Sequence, residues 1–253
     1  MPRISATIVA CNEAASIARA IRSLGCADEI IVVDSGSSDA TSEIAAQEGA
    51  RVIHQSWRGY AAQKNFATDN SRHEWILSLD ADEELNDDAQ AAMESWKESE
   101  PAADGYRFAR RAHYLGRWIL HSGWYPDYKV RLFNRSKGRW CGEYVHESAV
   151  VNGTVQTMPG EILHYTCETV EEHLQRIEHY TDLAAREMFD QGESVSFLRR
   201  SFDPLWTFLN SYFFRMGVLD GHQGLLIARM AARYVSRKYE KLAEEQDALN
   251  RKR

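Results

Sequence analysis

Two carboxylates stand at i and i+2 where an apolar run ends: Trp75-Ile76-Leu77-Ser78-Leu79 passes directly into Asp80-Ala81-Asp82-Glu83. Acids spaced this way on leaving a buried strand neither pair with each other nor stay in the core. They project where the sheet opens. Oxygen ligands of this kind suit a hard divalent cation, Mg²⁺ or Mn²⁺, of the sort that bridges nucleotide phosphates. A lone Asp at a strand end serves equally as a turn or N-cap residue, so the surrounding sequence has to decide.

Asp34 closes another apolar run and opens Asp34-Ser35-Gly36-Ser37-Ser38-Asp39. A carboxylate there can accept from a base imide or from ribose hydroxyls, while the small residues admit a nucleotide to the backbone. The plain alternative is a βα loop in which Asp39 caps the next helix. Gly59-Tyr60-Ala61-Ala62-Gln63-Lys64-Asn65 opens a helix shortly before the D-x-D run. Lys64 in that turn offsets phosphate charge with help from the helix N-terminus, or is an ordinary surface lysine.

The elements that must position these groups alternate. Strands are expected at 4–10, 29–33, 51–54 and 74–79. Between them come a helix capped by Asn12 with Ile17, Ile21 and Leu24 on one face, a helix from Asp39 to Gly49, and a helix over 59–69. Strands without a wet face, separated by helices, make a parallel sheet covered on both sides. Ligands of such sheets lie beyond the strand carboxyl ends, which puts Asn12-Glu13, Asp34-Ser35-Gly36 and Asp80-Ala81-Asp82 on one rim. After a helix near 86–98 the pattern changes to strands at 106–111, 129–134, 144–150 and 154–165, in mixed or antiparallel order. A polar helix follows at 168–191, then two or three helices broken near Asp203-Pro204 and 217–224. The fold class is α/β, a mixed sheet with helices on both faces. Residues 1–191 form that domain and 192–253 a helical C-terminal appendage.

An apolar share of 44% with 26% charged residues is ordinary for a globular protein with a sizeable core. Cys11, Cys26, Cys141 and Cys167 are scattered without a C-x-x-C pair, which suits a reducing cytoplasm. The start, Met1-Pro2-Arg3-Ile4, lacks a signal-peptide stretch, and no run is long enough to span a bilayer. The net charge of −7 is unevenly spread. Residues 1–196 carry 19 Lys+Arg against 31 Asp+Glu, whereas 197–253 carry 11 against 6. The acidic body argues against nucleic acid as a partner. The basic tail interleaves Arg199, Arg200 and Arg215 with Phe202, Trp206, Phe213 and Phe214. Such a segment is either an interfacial helix touching anionic lipid or a helix pair packed on the body with its arginines in water.

The order Cys11-Asn12-Glu13, then Val33-Asp34-Ser35-Gly36-Ser37-Ser38-Asp39, then Gln63-Lys64-Asn65, then Leu79-Asp80-Ala81-Asp82-Glu83 resembles inverting family 2 glycosyltransferases of the GT-A fold. Trp124-Tyr125-Pro126-Asp127, Arg131-Leu132-Phe133-Asn134-Arg135, Val145-His146-Glu147 and Leu163-His164-Tyr165 are similar to a narrower branch, bacterial lipopolysaccharide-core β-1,4-glucosyltransferases acting on heptose. The resemblance implies a UDP-sugar donor, with glucose as the hexose, and Mg²⁺ or Mn²⁺ as cofactor. It places Ala10, Glu13 and Asp34 around the uridine, Lys64 near the nucleotide, Asp80 near the ribose or donor sugar, and Asp82 on the metal. Arg131, Arg135 or His164 would assist. His164 would complete the metal shell or bond a backbone carbonyl as a structural histidine.

Inversion also needs a base to deprotonate the attacking hydroxyl. The Glu-Asp pair usual in the family is missing, so the choice falls on Glu147, with Asp127 second. Trp124 and Tyr125 line the expected acceptor pocket, where sugar C–H faces stack on rings. The acceptor implied is a lipopolysaccharide inner-core sugar, heptose, met at the cytoplasmic face of the inner membrane with peripheral membrane contact. Two other classes share features of the chain. A haloacid-dehalogenase-like phosphatase also places D-x-D after an apolar strand, but Glu84 stands where Thr or Val is usual. A non-catalytic nucleotide-sugar-binding protein would keep the fold without turnover.

Overall fold

The computed structural model describes residues 1–142 and 147–250. The apolar runs become strands and the amphipathic stretches helices: β1 (Ile4–Ala10), α1 (Ile17–Arg22), β2 (Glu29–Asp34), α2 (Thr41–Gln47), β3 (Arg51–His54), α3 (Tyr60–Asp69) and β4 (Trp75–Asp80). β5 (Glu83–Leu85), α4 (Asp87–Lys97), β6 (Gly105–Tyr114), β7 (Arg117–Trp118), β8 (Asp127–Asn134), β9 (Gly138–Cys141), β10 (Ser148–Val151) and β11 (Val155–Cys167) follow. The chain closes with α5 (Val170–Asp190), α6 (Phe197–Leu209), a π-helical turn (Asn210–Phe214), a 3₁₀ turn (Gly217–Asp220) and α7 (Gly221–Asn250). The main sheet runs β3-β2-β1-β4-β8-β6-β11-β5, with β7 on β6, and β9 and β10 form a separate pair. β3, β2, β1 and β4 are parallel, and β8 joins β4 antiparallel. The sheet is therefore mixed, as expected.

Alternation along the strands explains the two covered faces. Ile4, Ala6, Ile8 and Val32 join one cluster with Ile17, Leu24 and Met93, whereas Val9, Ile31 and Val33 pack with Phe66 and Ala67 of α3 on the other side. The chain forms two compact units, Met1–Arg111 with Asp127–Tyr165, and Ala112–Pro126 with Thr166–Arg253. In the second unit, Tyr114, Ile119, Cys167 and Ile227 make a core of their own. Glu178 of α5 pairs with Arg237 at 3.0 Å and Lys241 at 3.2 Å on α7.

Two local expectations are corrected. Asn12 does not cap α1: its φ is +58°, its side-chain oxygen accepts from Ser38 N at 2.8 Å, and the helix starts after Ser16. The carboxamide is already committed across the loop. Pro204 does not break α6, which runs through it. The carbonyl that it leaves without a helical donor belongs to Arg200, an exposed residue that solvent reaches. Of the strand expected at 144–150, Ser148–Val151 is a strand, while Tyr144, Val145 and His146 lie outside the described residues. Among the described residues, no helix is long and apolar enough to cross a membrane.

Candidate active site

Register brings the expected donor-binding residues to one rim. Ala10 pairs with Asp34 and Val9 with Asp80, so Asp34 and Asp80 end the strands on either side of β1, about 10 Å apart at the usual strand spacing. Asp34 is 2% exposed. Its carboxylate accepts from Ser37 N at 3.2 Å and from the Ser37 hydroxyl, and His54 Nδ1 lies 3.0 Å away. Burial alone would raise this carboxyl, but the Ser37 hydroxyl and His54 outweigh it and hold it below the usual range. Gly36, with φ +103°, lets the loop turn so that Ser37 reaches back.

Glu13 sits opposite on the β1 loop. Its backbone N–H donates to Thr41 Oγ1 at 2.8 Å, and its carboxylate accepts from Ser16 Oγ at 2.6 Å. Asp39 accepts from Thr41 N at 3.0 Å and Ala14 N at 3.2 Å, a turn that precedes α2; the N-cap is Ala40, which makes no side-chain cap bond, so the capping reading of Asp39 is corrected. Gln63, fully buried, donates to Ser35 Oγ and to Gln55 O, tying α3 to the Asp34 loop.

Lys64 is buried, and the surface-lysine reading falls. Its ammonium lies 2.7 Å from Asp80 and 3.1 Å from Glu147, over the Trp140 ring at 4.3 Å. Asp80 also takes Arg131 at 2.9 Å, and Arg131 reaches Glu83 at 2.7 Å. Arg110 joins Glu83 at 3.1 Å to Asp127 at 2.7 Å. A continuous ladder of alternating charge thus runs from Glu147 to Asp127. Desolvation would raise the Asp80 carboxyl, yet Arg131 and Lys64 hold it well below the carboxylate range. The same surroundings act on Arg131: burial opposes its charge, and Asp80 and Glu83 more than restore it. Asp127 is likewise lowered against its own burial by Arg110 and Lys129.

Glu83, Arg110 and Trp140 were not foreseen as site residues. Glu83 is completely buried. The signal was available in β5, where Glu83 alternates with Glu84 and so shares the inner face with Leu85. Arg135, by contrast, leaves the site: it donates to Ser71 O, and Asn134 pairs with Trp75 at the far end of β4.

Asp82 and His164 face each other, with Nε2 and Oδ2 3.3 Å apart. β5 pairs with β11 at Glu83 and His164, which is why a residue 82 positions away arrives here. The pair supplies one carboxylate and one imidazole. Among the described residues no group of three or more His, Cys, Asp or Glu converges as a metal cage. Two protein ligands nevertheless fit a cation that completes its shell from substrate phosphates and water, the habit of Mg²⁺.

The two expected acceptor residues belong to the second unit. Trp124 is half-buried and packs edge-on against Tyr114 at 5.4 Å; Tyr125 is also half-buried. Their loop is anchored by Asp220, which is 1% exposed and accepts from Leu120 N, His121 N and Ser122 Oγ at 3.1–3.2 Å, with His121 Nδ1 at 3.1 Å. The supporting turn is tight: a Cβ on Gly224 would sit 1.8 Å from Gly217 O. A surface cavity of about 510 Å³ lined by Arg3, Arg72, His73 and Glu98 lies at the opposite, N-terminal end of the parallel strands, not where such sheets bind ligands.

Comparison with known proteins gives the family and the fold. The profile described as Glycosyl transferase family 2 matches residues 5–152. An uncharacterized glycosyltransferase of Rickettsia felis (strain ATCC VR-1525 / URRWXCal2) is 33% identical over 249 residues, covering 89% of this chain and 84% of that protein. The lipopolysaccharide core biosynthesis glycosyltransferase LpsC of Rhizobium meliloti (strain 1021) is 34% identical over 220 residues, covering 83% and 80%. The mannosyltransferase PcManGT from Pyrobaculum calidifontis, solved with GDP-Man and Mn²⁺, superposes with a TM-score of 0.58 at 13% identity, covering 97% of this chain and 88% of that one. That likeness concerns the fold.

Proposed function

The chain belongs to glycosyl transferase family 2, and from that premise we propose that it moves a hexose, glucose, from a UDP-sugar to a heptose of the lipopolysaccharide inner core, with inversion. The observation that carries the reading is the gathering of Asp34 and of Asp80 with Lys64 at the open ends of β2 and β4, and of Asp82 just beyond β4 with His164 of β11. Asp34 receives the base or ribose, with Ala10 and Glu13 beside it. Lys64, Asp80 and Arg131 orient the diphosphate and the sugar. The second of these tasks has an electrostatic condition. Among the described residues of the ladder, Lys64, Arg110, Lys129 and Arg131 are matched by Asp80, Glu83, Asp127 and Glu147, so the charge of an incoming diphosphate finds no surplus cation.

Asp82 and His164 would hold Mg²⁺ or Mn²⁺, which supplies Lewis-acid relief of charge on the departing diphosphate. Glu147 acts as the base, withdrawing the proton from the acceptor hydroxyl as its oxygen bonds to the anomeric carbon. Asp127 is second, because Arg110 and Lys129 lower its proton affinity. Trp124 and Tyr125 present rings to the acceptor sugar. LpsC, by its name, works in lipopolysaccharide core biosynthesis, which supports that acceptor class; the cytoplasmic face of the inner membrane as the place of transfer is part of the same proposal. Family membership sets aside the phosphatase reading.

A panel of UDP-sugars with truncated core acceptors tests the proposal. Transfer that needs Mg²⁺ or Mn²⁺ and gives a β-linked product is expected, and Glu147→Gln should slow it by on the order of 10²–10⁴-fold. Donor binding without transfer to any acceptor would favour the non-catalytic alternative. Full activity of Glu147→Gln would move the base to Asp127.

A further inference from the structure

α6 is amphipathic in reverse. Leu198, Phe202, Leu205 and Trp206 recur at i, i+4, i+7 and i+8, the spacing of one helical face. None of the residues of α6 is buried. The face turned to α7 is instead polar: Arg199 Nη2 and Asp203 Oδ2 lie 3.3 Å and 2.7 Å from the Tyr239 hydroxyl. The apolar stripe continues without a gap into the π-helical turn, since Phe202 stacks on Trp206 and Trp206 meets Phe214 at 5.5 Å. Leu198, Phe202, Leu205, Trp206, Phe213 and Phe214 are between 47% and 78% exposed. Contiguous apolar area of this kind marks an interaction surface.

Charge selects the occupant. Residues 204–219 contain no Asp or Glu, although the chain has 37 of them. Arg200 and Arg215, both exposed, bracket the apolar run. A symmetric pairing of two copies through this face would bring these guanidinium groups near their own copies. An anionic phospholipid surface accepts both features at once: rings and leucines enter the acyl boundary while arginines stay among headgroups. We propose that the outer face of α6 and the π-helical turn is a wedge that lies in an anionic bilayer. This inference concerns the second unit by itself and does not rest on the transfer reaction.

The test is co-sedimentation of the full chain with vesicles of phosphatidylcholine alone and with about 30 mol% phosphatidylglycerol, whose negative surface potential attracts basic segments. The chain should pellet with the anionic vesicles and stay in solution with the neutral ones. Phe202→Ser, Trp206→Ser and Phe214→Ser should each weaken binding by about tenfold, with far-UV circular dichroism unchanged because none of these side chains is in a core. Brominated lipid should quench emission of the wild type more than that of Trp206→Phe. Equal pelleting of the triple serine variant would overturn the wedge. So would a concentration-dependent dimer, seen by sedimentation velocity, that the same substitutions dissolve without any vesicle binding in the wild type.

Discussion

Glu83 in the first unit and Asp220 in the second are both carboxylates removed from water, and they are compensated by opposite means. Glu83 is gripped by two guanidinium groups, Arg131 at 2.7 Å and Arg110 at 3.1 Å. Asp220 is met mainly by backbone N–H groups and a serine hydroxyl from the loop at 120–122. Charge-on-charge compensation links distant strands into one electrostatic body whose members respond together when a ligand's charge arrives. Dipole compensation fixes one loop locally and leaves its surroundings unaltered. The first arrangement suits a site that must accommodate a diphosphate, the second a site that must hold rings in place.

This contrast can be broken by substitution. Glu83→Ala should cost about 3–5 kcal/mol in thermal or urea unfolding, because it removes the buried carboxylate that two guanidinium groups share and leaves them only Asp80 and Asp127. It should also abolish detectable UDP binding by letting Arg131 drift from Asp80. Asp220→Ala should cost less, about 2–3 kcal/mol, since exposed parts of its loop regain water. UDP affinity should be unchanged in that variant while the acceptor KM rises. If Asp220→Ala lost UDP binding as fully as Glu83→Ala, the distinction between the two compensations would be wrong.

The smallest expected effect is on acid stability. The Asp34 carboxyl lies below its ordinary value when folded, and an unfolded Asp titrates near ~3.9. Its stabilising contribution is therefore present above that pH and is lost as pH falls through the folded value. Melting temperature should decline more steeply below pH ~4 in the wild type than in Asp34→Asn. Parallel declines would show that Asp34 contributes nothing through its charge.

The parallel half of the sheet was legible because periodicity and turn chemistry agree there: each apolar run ends in an acid or a glycine-containing loop. Asp34, Lys64, Asp80 and Asp82 could be read from the chain because each follows such an ending. Arg110 could not, since nothing in 106–111 says that its side chain reaches Glu83; antiparallel pairing of β6 with β8 sets it opposite Asp127, and only β11 separates β6 from β5 in the sheet. Lys64 was visible as a cation but not as a buried one; its depth depends on Trp140, supplied by β9 far along the chain. Pro204 misled because a helix on the surface tolerates a missing bond that a buried one would not. Asn12 misled because cap propensity does not reveal a competing partner such as Ser38 N.

Calorimetric titration of UDP into the full chain, with Mn²⁺ and then with EDTA, tests the central claim most directly. Binding should appear with Mn²⁺, fall at least about tenfold with EDTA, and fall equally in Asp82→Ala whether or not metal is present. UDP binding of equal strength with EDTA and in Asp82→Ala would contradict the assignment of this rim to a cation-held nucleotide diphosphate.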